Sequence, residues 1–196
     1  ICISVASRPS NFGTTIHNAA YDALCLNFVY KAFGITDIVG VITGVRALGI
    51  RGCSVSMPFK ETVIPLLDKL DETAEIIGAV NTIVNDYGHL TGYNTDVIGA
   101  RIALQSIQVD PAESVLLLGA GGVARAILFA LRQLGFKHVH VANRDIGKIK
   151  SLNAIIPCKQ VAWSERQQVP VSLIINATSV GMTPSNEIMP LDKTFI

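Results

Sequence analysis

Two stretches carry residue types that can do chemistry. In SVSMPFKE, Ser54 to Glu61, a strand-like run over Gly52–Ser56 meets Pro58, and Lys60 follows two residues later. A lysine held beside a reacting oxygen can give or take a proton. A lysine on the exposed first turn of a helix does neither, and the local sequence leaves both readings open. The second stretch is SVLLLGAGGVARAILFALRQLG, Ser114 to Gly135. A buried-strand run ends at Gly119, and Ala120, Gly121, Gly122 and Val123 lead into a helix. The pattern is GxGxxA, with Ala124 at the third small position. Such glycines allow a tight turn and close approach of a pyrophosphate, and the helix start offers N–H groups and a positive dipole end. Strand, loop, helix and a second strand all fall at the spacing of a dinucleotide site.

The end of that second strand bears on the cofactor. HVHVANRD places Asn143, Arg144 and Asp145 where an NAD site usually has an acid for the ribose 2′-hydroxyl. Arg144, with Lys148 one helical turn on, suits a 2′-phosphate and so favours NADP. Asp145 can bind the ribose instead and admit NAD.

The elements around these residues alternate. Strands are expected at Ile1–Val5, Asn27–Ala32, Gly52–Ser56, Ala79–Asn85 and Leu90–Asn94, the last two around a DYGH turn. Helices are expected at Thr15–Leu26, at Thr36–Leu48 with Thr36 as N-cap, from the end of the third strand through Leu67, and at Asp96–Ile107. Asp96 itself reads as a helix N-cap. After the polar break QVDPAE come strand Val115–Gly119, helix Val123–Leu134, strand His138–Ala142, helix Ile146–Leu152 and strand Leu173–Asn176. Alternation of this kind implies α/β architecture with parallel sheets covered on both faces. A boundary near 108–112 divides residues 1–108 from 109–196.

Composition narrows the class. The 196 residues are 16% charged with a net charge of +1, and mean hydropathy is +0.44. That argues against long disorder, and no basic tract suggests a nucleic-acid partner. Apolar runs are too short for a membrane span. No basic n-region marks a signal peptide, so cytoplasm is the expected location. Cys2, Cys25, Cys53 and Cys158 are scattered and read as small core residues in a reducing compartment. His89, His138 and His140 lack metal spacing, His17 reads as a structural helix residue, and Trp163 as packing. The chain begins without Met and stops at LDKTFI, so both ends read as cut. The surface permits a monomer or a homodimer.

Taken in order, VSMPFKE, AVNTIV, YNTD, GAGGVARA, NRD and NATSVGM resemble the shikimate dehydrogenase family over nearly the whole chain. The resemblance implies an N-terminal substrate-binding α/β domain followed by a Rossmann NADP domain, incomplete here. It also implies reversible reduction of 3-dehydroshikimate in aromatic amino acid biosynthesis. The family's catalytic lysine and aspartate match Lys60 and Asp96. Its hydroxyl-binding asparagine matches Asn81, its motif threonine matches Ser56, and Glu72 matches a position near the cofactor. Thr178, Ser179 and Gly181 are expected on the nicotinamide side. Three positions depart from the pattern. In SNFGTTIHN, Asn11 and Gly13 stand where the family has a serine pair for the substrate carboxylate, and Ser54 replaces an asparagine. This resembles the divergent shikimate dehydrogenase-like branch. The alternatives are a quinate or similar hydroxy-acid dehydrogenase, using NADP or NAD, and a ligand-sensing regulator on the same fold. Retention of both Lys60 and Asp96 favours an enzyme.

Overall fold

A computed structural model describes residues 1–183, 186–192 and 195. The chain divides into two compact units, Ile1–Thr95 and Asp96–Ile196. The boundary read from sequence lies later, beyond the helix that opens the second unit.

In the first unit the order is β1 (Cys2–Ala6), α1 (Phe12–Ala23), β2 (Tyr30–Gly34), α2 (Ile38–Ala47), β3 (Gly52–Val55), β4 (Lys69–Leu70), α3 (Glu72–Ile77), β5 (Thr82–Asp86) and β6 (His89–Tyr93). One six-stranded sheet runs β2-β1-β3-β5-β6-β4. Burial alternates along β1, β3 and β5, as expected where one face of a pleated strand meets a core. Ile3, Val5, Val55 and Ile83 form that core with Ile42 and Val45 of α2. The sheet is mixed rather than parallel throughout. β1 pairs in parallel with β2 and β3, but β5 runs antiparallel to both β3 and β6. The short turn after Asp86 makes β5 and β6 a hairpin, and a hairpin is necessarily antiparallel.

The second unit contains α4 (Asp96–Ser106), β7 (Ser114–Leu118), α5 (Gly122–Gln133), β8 (His138–Asn143), α6 (Ile146–Lys150), β9 (Lys159–Ala162) and β10 (Leu173–Asn176). Its sheet, β10-β7-β8-β9, is parallel throughout. β7 is buried continuously from Val115 to Leu118, the pattern of a parallel strand covered on both faces. Each buried leucine there stabilises the fold by about 1.5–3 kcal/mol. α5 turns Ala124, Ala126, Leu128 and Leu131 inward. It closes at Gly135 (φ +85°), where the N–H of Phe136 donates to the carbonyl of Leu131 at 3.0 Å. Only a left-handed residue returns the chain in this way, and glycine adopts that conformation without strain.

Several expectations from sequence need correction. α1 occupies Phe12–Ala23, earlier than expected, and ends where Cys25 turns left-handed (φ +52°) and the N–H of Leu26 donates to the carbonyl of Tyr21. β2 begins at Tyr30, three residues late. The N-cap of α2 is Asp37 rather than Thr36: its carboxylate accepts from the N–H of Gly40 at 3.0 Å. The helix expected from the end of β3 through Leu67 does not form. Residues 57–63 are a run of turns, followed by a single 3-10 turn at Ile64–Leu66. Pro65 has no N–H to give, and the β-branched run Thr62-Val63-Ile64 adds little helix preference. β4, α3 and β9 were not expected. The signals for α3 are Asp71, whose carboxylate accepts from the N–H groups of Thr73 and Ala74, and Gly78 in the left-handed cap.

Candidate active site

The first unit gathers its site residues at the carboxyl ends of β1 and β3. β3 ends at Val55, and Ser56 is held there by its N–H to the carbonyl of Val5 at 2.9 Å. The Met57–Pro58 peptide is cis. The turn then closes with the N–H of Phe59 on the carbonyl of Ser56 at 2.9 Å, and Phe59 packs on the core. Lys60 follows from this anchored turn. Its carbonyl accepts from the N–H of Val80 at 2.7 Å, and the residue is only 9% exposed. It is therefore not a solvated helix-start lysine. Lysine is rarely this little exposed, so the position is one the fold has to build deliberately. Ser54 is half-buried and Ser56 exposed. Beside Ser54 in the same strand, the thiol of Cys53 is pushed up to about 12 by burial and by its neighbour Cys2, so it stays protonated and inert.

Asn81 lies at the start of the β5–β6 hairpin. Its Nδ2 donates to the hydroxyl of Thr95 at 2.9 Å, and its Oδ1 accepts from the N–H of Thr95 at 2.9 Å and the hydroxyl of Thr82 at 2.9 Å. The amide thus finds its partner in Thr95, a residue that sequence reasoning missed. The contact is tertiary, made across the hairpin, and no local pattern announces it. The adjacent Asn94 is buried and donates to the carbonyl of Ala79 at 2.9 Å. These bonds fix the NTD segment up to the residue before Asp96. Asp96 itself stands in the first turn of α4. Glu72 is exposed on the first turn of α3.

Asn11 occupies the N-cap position of α1, yet its side chain makes no capping bond. Gly13 follows in the first turn. Asn18 clamps β2 by accepting from the N–H of Tyr30 at 2.8 Å and donating to its carbonyl at 3.0 Å. His17 stacks on the Tyr30 ring at 4.3 Å between centroids, which is a packing role.

In the second unit, β7 delivers the glycine loop to the carboxyl edge of a parallel sheet, where ligands of such folds bind. Gly119 has φ +108°, and a Cβ there would lie 2.7 Å from the carbonyl oxygen of Ala177. Gly121 is the N-cap of α5 and has no side-chain cap; no atom lies within 4 Å of a Cβ built on it. Gly121 thus has open space where a side chain would stand, while Ala120 and Ala124 are buried. Gly122 and Val123 form the first turn of α5.

Beyond β8, the Nδ2 of Asn143 donates to the carbonyl of Asp145 at 2.8 Å, and the Asp145 carboxylate accepts from the N–H of Gly147 at 2.9 Å, capping α6. Arg144 and Lys148 are exposed beside it. After β10, Thr178 is held in a loop by Asn176, whose Oδ1 accepts from its N–H at 3.0 Å and from its hydroxyl at 2.6 Å. Gly181 follows at φ +88°. Among the described residues no cluster of His, Cys, Asp and Glu suits a metal ion, and no helix is long and apolar enough to cross a membrane.

Comparison with known proteins gives consistent matches. Residues 11–83 match the family model described as the shikimate dehydrogenase substrate binding domain. The chain is 44% identical over its full length to a shikimate dehydrogenase-like protein of Haemophilus influenzae and covers 72% of that protein. It is 44% identical, over 90% of its length, to a shikimate dehydrogenase (NADP(+)) of Geobacillus sp. (strain WCH70), covering 67% of it. Its fold matches shikimate 5-dehydrogenase from Thermus thermophilus in complex with NADP(H) and shikimate, with a TM-score of 0.84 and 30% identity. That match covers the whole of this chain and 75% of the other.

Proposed function

The chain belongs to the shikimate dehydrogenase family, and we propose that it is an NADP-dependent oxidoreductase that reversibly reduces 3-dehydroshikimate to shikimate or a closely similar cyclic hydroxy acid. Substrate binding is assigned to the N-terminal domain, residues 1–108 on the sequence boundary, and cofactor binding to the residues after it. The observation that carries the reading is Lys60, an ammonium-bearing side chain 9% exposed at the carboxyl end of β3. The carboxyl end of a strand is where the sites of α/β sheets form, and a lysine there can exchange a proton with a hydroxyl or carbonyl substrate.

The open α5 start at Gly121 fits a pyrophosphate, with Gly119, Ala120, Gly122 and Val123 shaping the approach. Asp145 is committed to the cap of α6, so Arg144, Asn143 and Lys148 are the groups offered to a ribose 2′-phosphate. That supports NADP over NAD. When bound, NADP supplies or accepts the hydride. Thr178 and Gly181 are assigned to the nicotinamide side, with Glu72 as a further cofactor contact.

The protein's own groups handle the proton. In the reducing direction Lys60 donates a proton to the carbonyl oxygen as the alcohol forms; in the oxidising direction it takes the hydroxyl proton back. Asp96 is assigned as the second member of the acid/base pair, orienting the lysine and the reacting hydroxyl. Asn81, Ser54 and Ser56 hold the ring hydroxyls, while Asn11 and the Gly13 backbone face the carboxylate.

The test pairs NADP and NAD with shikimate and quinate, follows absorbance of the reduced cofactor, and measures cofactor binding separately. NADP-linked oxidation of shikimate is the expected result. Turnover of quinate alone, or with NAD alone, would replace the substrate or cofactor reading. Binding of both ligands without turnover would favour a ligand-sensing regulator.

A further inference from the structure

We infer that the phenol of Tyr30 is a substrate-positioning group that binds the substrate carboxylate where Gly13 provides no side chain. The inference rests on the proposed function and names a residue for one end of the substrate. Tyr30 opens β2 and is 5% exposed. Its backbone is held on both sides by Asn18, and its ring is stacked on His17. These contacts fix where the phenol oxygen points. That oxygen makes no hydrogen bond with any described residue. It lies beside Gly13: a Cβ there would lie 3.4 Å from Cε1 and 3.6 Å from the hydroxyl oxygen of Tyr30. A serine at this position would sit in ordinary contact with the phenol and offer its own hydroxyl. Glycine leaves the phenol as the hydroxyl at that point. A phenol O–H with no protein acceptor is free to donate to a ligand, and an O–H donated to a carboxylate is among the stronger hydrogen bonds. Asn11, two residues before Gly13 and free of capping duty, supplies a second neutral donor. Two neutral donors beside one helix start suit an anionic group without demanding a salt bridge.

The test is Tyr30→Phe, which keeps the ring, the His17 stack and the Asn18 clamp and removes only the hydroxyl. KM for the carboxylate substrate should rise roughly 10- to 100-fold, the effect of losing one hydrogen bond to a charged group. KM for NADP and the thermal midpoint should not move. Adding Gly13→Ser to Tyr30→Phe should recover most of the loss. A substrate analogue with a carboxamide in place of the carboxylate should show a much smaller gap between the two proteins. An unchanged KM in Tyr30→Phe, or an equal loss with the carboxamide, overturns the inference while leaving the functional reading intact. If the unsubstituted protein turns over no cyclic hydroxy acid, the functional reading falls first and the inference falls with it.

Discussion

Gly119 and Gly121 stand two residues apart in the same loop, and the structure gives them different work. At Gly119, alanine must adopt φ +108° with its Cβ 2.7 Å from the Ala177 oxygen and 3.0 Å from the Ala177 carbonyl carbon. Those atoms cannot retreat freely, because the N–H of Ala177 donates to the carbonyl of Leu118 at 2.8 Å. A strained backbone costs about 1–3 kcal/mol, and overpacking costs about the same again. Gly119→Ala should therefore destabilise the unit by about 2–6 kcal/mol, a large part of the ~5–15 kcal/mol typical of a domain. The thermal midpoint should fall by roughly 10 °C or more.

At Gly121 the backbone is ordinary (φ −89°, ψ −173°), and no atom lies near the new methyl. Gly121→Ala should cost less than about 1 kcal/mol of stability, the small difference between glycine and alanine at an N-cap. The methyl would instead occupy the approach of the pyrophosphate, so NADP affinity should drop roughly tenfold or more. Unfolding of both variants without cofactor, beside calorimetric titration with NADP, separates the two effects. Unchanged NADP affinity in Gly121→Ala would refute the assignment of the loop to the pyrophosphate. A normal melt for Gly119→Ala would refute the packing argument.

Other outcomes follow from the same geometry. Lys60→Met should lower turnover by roughly 10²–10⁴-fold with NADP affinity nearly unchanged; an equal loss of cofactor binding would make Lys60 structural. Arg144→Ala should weaken NADP by roughly tenfold or more and NAD far less, as read by paired titrations, and equal weakening would remove the 2′-phosphate role. Asp68 is held below the ordinary carboxylate value of 3.8 by a side-chain bond from Arg46 at 2.7 Å and the N–H of Leu90. Because its folded pKa is depressed, its contribution is full above that ordinary value and fades as pH falls through the lower folded one. Asp68→Asn should flatten the acid limb of a stability–pH curve below about pH 4 and leave neutral-pH dependence alone.

The parts of the molecule legible in the sequence are those written locally. The glycine loop was readable because strand, turn and helix follow one another without interruption, and β10 matched its expected bounds for the same reason. The turn at residues 57–63 was not. Its apolar residues mimic a helix, and only the packing of Phe59 and the bond from Val80 to Lys60 show what the chain does instead. β9 escaped notice because it is a short strand at the edge of its sheet with only Val161 buried, so it carries no alternation. At the site, residue types marked Lys60, Asn81 and the glycines. The roles of Thr95 and Tyr30 depend on contacts between segments that are remote in sequence, and those exist only once the sheet has formed.

The carboxylate of Asp145 has a consequence for redesign. It is a structural anchor placed where a rival cofactor would need a ligand. Recruiting it to a ribose hydroxyl would pull it from the N–H of Gly147 and loosen the start of α6. Cofactor choice and helix stability are thus coupled through one side chain. A variant intended for NAD would do better to add a new acid at another position than to free this one.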